Sequence, residues 1–352
     1  MTKKRVLAIG LDGYEQSLGQ RLMEDGELPH LEELRKRSAR FLLDHGPATR
    51  TGLAWEHAST GLSPKDAGRA SAIDFNTQTY ETWHEGTSLT PFPAFLKSQA
   101  VIFDVPYFDL ARAPSAQGIV NWGAHDPGVA AGSNPASLLE ELVNRFGEYP
   151  AKDEMYDVVW SSVGRTKKMS RALVRATEVR TQATRWLLEQ RLPDWDLAFV
   201  VAGELHSAIE NLWHGIDSEH ALHNADSAAE AKRGLIEVHR ATDALVGELV
   251  EAFPDATVVA FAMNGMGPNH ADIASMMLLP ELLYRNSSGK SLFSTPARWS
   301  KAADGVPMLA DNIPWSQAIM TQIKQFPEPL DTLRRLAANT LPEGVKHVIR
   351  RA

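Results

Sequence analysis

The polar residues with the clearest chemical potential begin with Asp12. It directly follows residues 5–11, an apolar run typical of a strand buried on both faces. An acid at the end of such a strand can bind a metal ion, or it can cap the turn that Gly13 signals. The residue alone does not separate these two roles.

Two hydroxyls, Thr49 and Thr51, lie within residues 46–68, just ahead of a helix predicted over residues 53–60. The first turn of a helix leaves backbone N–H groups free and carries the positive end of the helix dipole. A hydroxyl at this place faces any anion that binds there. The alternative is that one of these threonines is only an N-cap.

The stretch GELHSAIENLWH, residues 203–214, is rich in histidine and acid. His206 and Glu210 are four residues apart, so on a helix they share one face and could share an ion. His214 is a possible additional ligand. Imidazole and carboxylate suit Zn²⁺, Mn²⁺ or iron. The same spacing also occurs in ordinary surface pairs.

A third polar stretch, AMNGMGPNH, covers residues 262–270. Asn264 is a possible metal ligand and His270 a possible additional one, whereas the thioether of Met263 is a poor ligand for a hard dication. The alternative is a Gly-rich loop between a strand and a helix.

Three further residues are weaker candidates for substrate contacts: Tyr107, Trp122 and His125. Aromatic side chains are more often part of a core than of a substrate pocket.

The elements that would position these residues alternate between strand and helix. Strands are predicted over residues 5–11, 100–105, 118–122, 195–201 and 257–261, and helices over residues 28–37, 53–60, 135–146, 165–190 and 228–253. This alternation predicts an α/β fold with a mainly parallel sheet and helices on both faces. We expect a single domain over residues 1–352, with residues 71–165 as a cap or insertion that contributes to the pocket. Reactive groups in such folds gather beyond the carboxyl ends of the strands, where Asp12, His206 and Asn264 are predicted to lie.

Composition excludes several classes of protein. The net charge of −8 and the absence of a basic stripe argue against binding to nucleic acid or to an anionic membrane. The absence of cysteine excludes disulfides, thiolate chemistry and cysteine-bound zinc. We find no signal peptide and no apolar run long enough to span a bilayer, so the sequence predicts a soluble, cytoplasmic protein. The oligomeric state stays open.

The order of these motifs resembles the alkaline phosphatase superfamily, most closely its type I phosphodiesterase/nucleotide pyrophosphatase branch. The resemblance rests on a strand followed by Asp12-Gly13, Thr51 ahead of a block that ends TGLSP, and then the GELHSAIENLWH and AMNGMGPNH stretches. It implies an alkaline-phosphatase-like fold, Thr51 as a nucleophile that becomes phosphorylated, and one or two divalent ions, Zn or Mn. It also implies Asp12 as a ligand of the ion that binds Thr51, with His206 and Glu210 binding the other.

The chain departs from the family pattern in its metal ligands. The family's Asp-His-Gly appears here as Met263-Asn264-Gly265, and Glu210 stands where a histidine is usual. Three functions are compatible with this combination. The first is a metal-dependent hydrolase of a small anionic phosphoester, and the second is a transferase that passes a phosphoryl, sulfuryl or related group to an acceptor other than water. The third is a catalytically inactive relative that binds a ligand or a partner.

Overall fold

The computed structural model of the protein describes residues 4–43, 52–79, 81–154, 161–220, 222–263, 265 and 272–292. Three of the predicted site residues, Thr51, Asn264 and His270, lie outside these ranges. The chain divides into two compact units, of which the first contains Met1–Asp157 and Ser161–Pro268. The second contains Val158–Trp160 and Asn269–Ala352.

The first unit is built around a six-stranded sheet with the strand order β6-β5-β4-β7-β1-β8. Its strands are β1 (Arg5–Leu11), β4 (Ala100–Phe103), β5 (Gln117–Val120), β6 (Gly132–Asn134), β7 (Leu197–Ala202) and β8 (Ala256–Phe261). The pairing is parallel throughout except between β5 and β6. The predicted mainly parallel sheet is therefore confirmed, and the carboxyl ends of β1, β4, β5, β7 and β8 lie along one edge.

Alternate residues of each central strand face two different cores. In β7, Ala198 and Val200 pack into the main core, whereas Phe199 and Val201 pack into a smaller one. Because successive side chains of a strand point to opposite faces, this alternation gives the sheet an apolar layer on each side. The sheet is covered on both faces, as predicted for a parallel α/β fold.

The helices of the first unit range from 4 to 25 residues in length. They are α1 (Gln16–Glu24), α2 (Pro29–Arg37), α3 (Ala54–Thr60), α4 (Pro64–Ala67), α5 (Leu138–Phe146), α6 (Val163–Trp186), α7 (Glu204–Leu212) and α8 (Ala228–Ala252). A π turn (Leu187–Arg191) extends α6, and short 3₁₀ turns cover Phe92–Phe95, Leu110–Arg112 and Trp213–Gly215. Residues of α1, α2 and α5–α8 form the main core, and Trp55 of α3 packs in the smaller one. The predicted helices therefore form, with ends displaced by a few residues.

Residues 71–165 contribute to the sheet as well as to its surroundings. Strands β4, β5 and β6 all fall within this interval. Outside the sheet, β2 (Ile73–Phe75) and β3 (Thr82–His84) form a separate antiparallel hairpin. A pocket-forming role for the interval stays a prediction.

The second unit contains α9 (Asp272–Ser288). Across the described part of the chain, we find no helix with the length and apolar character needed to cross a membrane.

Candidate functional site

Asp12 occupies the carboxyl end of β1, and its side chain is almost fully buried. Its backbone N–H donates to the carbonyl of Ala202, which continues the register between β1 and β7. One carboxylate oxygen, Oδ1, accepts a 2.8 Å hydrogen bond from Trp55 Nε1. The other, Oδ2, lies 3.0 Å from His206 Nδ1. Asp12 thus joins the end of one strand to two different helices.

His206 reaches this position because β7 leads directly into α7 and because Gly13 permits a close approach. Gly13 has a φ of +74°, and a Cβ there would lie 2.4 Å from the Cα of His206. Only glycine accommodates both the left-handed backbone and this contact. The turn after β1 therefore packs directly against the first turn of α7.

Three potential metal ligands meet at this edge of the sheet: His125, His206 and Glu210. Their ligand atoms all lie within 4.8 Å of one another. Glu210 is four residues after His206 on α7, as the sequence predicted, and its carboxylate lies 3.3 Å from His206 Nε2 and 3.6 Å from His125 Nε2. Within the described residues, this is the one such group of three.

Both imidazoles have their second ring nitrogen occupied. His206 Nδ1 faces Asp12, and His125 Nδ1 lies 2.9 Å from the Ser207 hydroxyl. Each Nε2 is therefore directed towards Glu210. Histidines that bind a metal usually have the other ring nitrogen held in this way, often by a carboxylate. Two imidazoles and one carboxylate are also the ligand types that suit Zn²⁺, Mn²⁺ and iron, so the residues present fit a divalent ion.

The two histidines of this group differ in protonation. Burial by itself lowers the pKa of His206, but the hydrogen bonds to Asp12 and Glu210 outweigh it and raise the pKa to about 10. Burial and the nearby positive charge of His206 lower the pKa of His125, whose ring stacks on that of His206 with the centroids 3.9 Å apart. Burial raises the pKa of Glu210, but the hydrogen bond from His206 reverses this and lowers it. One imidazolium thus lies between two carboxylates, beside a neutral imidazole.

The loop that follows β5 carries His125. Asn121 and Asp126 at its two ends have φ angles of 56° and 45°, values that non-glycine residues adopt rarely. Strained backbone of this kind clusters at functional sites. Nothing in the sequence places this loop next to α7; the strand order β5-β4-β7 does so.

The remaining described candidates, His214, Tyr107 and Trp122, have side-chain partners of their own. His214 Nε2 is 3.1 Å from the Ser227 hydroxyl, and burial, aided by His220, lowers the pKa of His214 to about 4. The Tyr107 hydroxyl is 3.3 Å from His84 Nε2, and burial raises the pKa of Tyr107 to about 12. Trp122 packs into the main core and donates its indole N–H to the carbonyl of Gly147.

The sequence did not single out Trp55 or the buried Arg180 described below. Trp55 lies over β1, where a Cβ at Gly10 would be 2.5 Å from its ring, and its indole N–H is bonded to Asp12. The only available signal was the position of Trp55 shortly after Thr51 in the chain.

Comparisons with known proteins give a distant likeness. No family model matches the chain, and no curated protein matches it. The solved structures that resemble it include phosphonoacetate hydrolase from Sinorhizobium meliloti 1021. The complex with phosphonoformate has a TM-score of 0.46 and 16% identity, over 82% of this chain and 63% of that one. The complex with phosphonoacetate has a TM-score of 0.43 and 15% identity, over 84% and 66%. This chain thus spans less than two thirds of the length of those hydrolase chains, and a likeness at this level assigns no activity to it.

Proposed function

We propose that this protein is a metal-dependent hydrolase of small anionic esters of the phosphate type, with His125, His206 and Glu210 as the residues that hold a divalent ion. The observation that carries the proposal is the convergence of these three ligand atoms beyond the carboxyl ends of the strands. A His, His, Glu set is one of the sets that hold catalytic zinc. Zn and Mn are the ions to test first.

The charge of the site supports the presence of an ion. In the described part of the chain, the ion pairs of Asp12 and Glu210 are formed with histidines and not with Lys or Arg. The imidazolium of His206 offsets only one of these two carboxylates, so an anionic ester that approached them without a further cation would be repelled. A bound divalent ion supplies the positive charge that holds such an ester and stabilises the charge that develops during its cleavage.

Two of the ligands predicted from the sequence, His206 and Glu210, keep that role in the proposal, and His125 joins them. Asp12 takes a different role, because both of its oxygens are already engaged by Trp55 and His206. We assign to Asp12 the orientation of the His206 ring. Asn264 stays a sequence prediction.

Thr51 remains the proposed nucleophile. Its hydroxyl oxygen would form a bond to the phosphorus as the bond to the leaving alcohol breaks, and a water would later release the group and restore the hydroxyl. The support is its sequence position ahead of α3, together with Trp55 of that helix, which is bonded to Asp12. If an acceptor other than water takes the group, the same steps make the protein a transferase.

A second function has one observation in its favour. Met263 follows β8, where the resembling family carries an acid, and it packs against the smaller core. Separately, the described residues contain one group of three or more potential His or carboxylate ligands and no second one. If cleavage needs a second ion, the protein would bind a ligand or a partner without turning it over.

Metal content and turnover, measured on the same sample, separate these functions. We expect about one Zn or Mn per chain after reconstitution of the chelator-treated protein, and metal-dependent release of nitrophenol from a panel of nitrophenyl phosphate monoesters, diesters, phosphonates and sulfates. Stoichiometric metal without cleavage of any ester would favour the binding protein. If neither metal nor cleavage is detected, the proposal is wrong.

A further inference from the structure

A buried cation lies behind the two histidines of the site. Arg180 of α6 has no exposed surface, and its guanidinium donates to three groups. Nε donates to Glu204 at 2.8 Å, Nη1 to Asp104 at 2.7 Å and Nη2 to the carbonyl of Gly123 at 2.8 Å. Both carboxylates are also fully buried.

Two of the three acceptors belong to the segments that carry the histidines, and the third, Asp104, follows β4. Gly123 is two residues before His125, and Glu204 is two residues before His206. Arg180 therefore bonds to the loop after β5 and to the first residue of α7 through one planar group. Because a guanidinium holds its N–H groups in a fixed fork, the relative position of its acceptors is fixed as well.

Asp104 and Tyr149 complete this arrangement. Asp104 accepts the backbone N–H groups of Trp122 and Gly123 at 2.8 and 2.9 Å, so it holds the loop from the end of the neighbouring strand β4. The Tyr149 hydroxyl donates to Glu204 Oε1 at 3.2 Å. A Cβ at Gly123 would lie 2.1 Å from the Tyr149 ring. The backbone at Gly123 is thus held by hydrogen bonds and by packing.

Stability alone does not account for the arrangement. One buried cation with two buried carboxylates carries a large desolvation cost, and apolar residues of similar size often give equal or greater stability. One oxygen, Glu204 Oε2, has no hydrogen-bond partner among the described residues. What the charged group supplies, and apolar packing would not, is a directional connection between two separate segments.

We propose that Arg180 is a positioning residue that sets His125 and His206 at the spacing needed to hold one ion; the inference rests on the proposed metal site. Arg180 does not touch the ion or a substrate. It acts through the backbone at Gly123 and through the carboxylate of Glu204.

Two variants test this role. Arg180→Lys keeps the charge and loses the fork. Asp104→Asn replaces one acceptor by a donor, while Asn tolerates the φ of 54° at this position; it carries the test if the lysine variant does not fold. For each we expect Zn²⁺ or Co²⁺ to bind about 10–100-fold more weakly than to the wild type, as when partners behind metal ligands are removed. The measurement is titration of the chelator-treated protein at a temperature well below its Tm.

Leu173→Ala is the matched control. Leu173 is also fully buried in α6, in the main core and without polar contacts of its side chain. We expect it to lower Tm while leaving the affinity for metal within experimental error of the wild type. If the control loses as much affinity as Arg180→Lys, or if neither test variant loses any, the positioning role is overturned.

A second measurement separates failure of this inference from failure of the metal site. In the metal-free protein, NMR signals of the His125 and His206 imidazoles should shift in Arg180→Lys and in Asp104→Asn and stay unchanged in Leu173→Ala. If wild-type protein binds no metal but these shifts occur, the proposed function fails and the positioning role stands. If the imidazole signals are unchanged in both test variants, Arg180 does not position the histidines.

Discussion

The carboxylate of Asp12 lies 3.0 Å from Nδ1 of His206, and this contact connects the end of β1 to the first turn of α7. It fixes which ring nitrogen of His206 faces Glu210, since a carboxylate at Nδ1 leaves Nε2 as the position for an ion, which would displace the Nε2 proton of the imidazolium.

Asp12→Asn should weaken the binding of a divalent ion by about 10–100-fold without removing a ligand. An amide can present either an oxygen or an N–H group to His206, so the ring loses its fixed orientation. Titration with Co²⁺ gives both the affinity and an absorption spectrum that reports the ligands. Band positions equal to those of the wild type are expected, and changed bands would make Asp12 a direct ligand. Asp126→Asn is the same chemical change at a mostly exposed side chain and should weaken binding by less than about 5-fold.

Removing a proposed ligand should have a larger effect. His125→Ala and Glu210→Gln should each reduce metal affinity by more than about 100-fold, the upper range for partners behind the ligands. His220→Ala is the control, because His220 comes from the same histidine-rich region but does not belong to the group of three. For all three variants, the metal content after dialysis against the free ion gives the occupancy of the site. Full occupancy in either ligand variant would contradict the proposed set.

Thr51→Ala should lower turnover of a responsive ester by at least about 10³-fold, since a nucleophile cannot be replaced by a methyl group. Metal content and Tm should stay close to those of the wild type. Thr49→Ala, two residues away, should retain most of its activity. If the two variants exchange these results, the nucleophile is Thr49, and if both remain active, neither hydroxyl attacks the ester.

Gly13→Ala should reduce both stability and metal affinity. Gly13 and Gly26 have nearly the same φ, 74° and 78°, but only Gly13 lies against another segment, the backbone of His206. Gly26→Ala should therefore show the backbone strain alone, about 1–2 kcal/mol of unfolding free energy. Gly13→Ala should cost more and should displace α7 from β1. Urea unfolding and metal titration of the two variants give the comparison. If both variants lose equal unfolding free energy and equal metal affinity, the backbone around Gly13 and His206 accommodates a Cβ without cost.

The buried His239 should make the protein less stable in mild acid. Burial lowers the pKa of His239 to about 4, in spite of the opposing hydrogen bond to the carbonyl of Leu235. In the unfolded chain a histidine has a pKa of about 6.5. Between these values the unfolded state binds a proton that the folded state does not, so the unfolding free energy falls as pH falls from about 6.5 to 4.

The variant His239→Phe tests this effect. We expect the slope of unfolding free energy against pH to decrease in that window by up to about 1.4 kcal/mol per pH unit, the value for one proton. Above pH 7 the curves of variant and wild type should run parallel. Equal slopes below pH 6.5 would show that His239 is protonated in the folded protein.

Local sequence determined much of the fold. Residues 5–11 form β1 with the predicted bounds because an almost continuous apolar run suits a strand buried on both faces. The alternation of such runs with amphipathic helices was enough to predict a parallel sheet. It also placed Asp12 at the end of β1, and the four-residue spacing placed His206 and Glu210 on one face of α7.

The tertiary structure alone decided which residues share a site with Asp12, His206 and Glu210. His125 contacts His206 because the strand order places β5, which precedes His125, only one strand away from β7, which precedes His206. Strand order depends on long-range packing that local periodicity does not encode. Arg180 reads in the sequence as one more cation on a basic helix, and only its burial against Asp104 and Glu204 distinguishes it. The same holds for Trp55, whose hydrogen bond to Asp12 requires α3 to pack over β1. The sequence by itself thus determined the elements and the residues at their ends, and long-range packing decided which of those residues share a site.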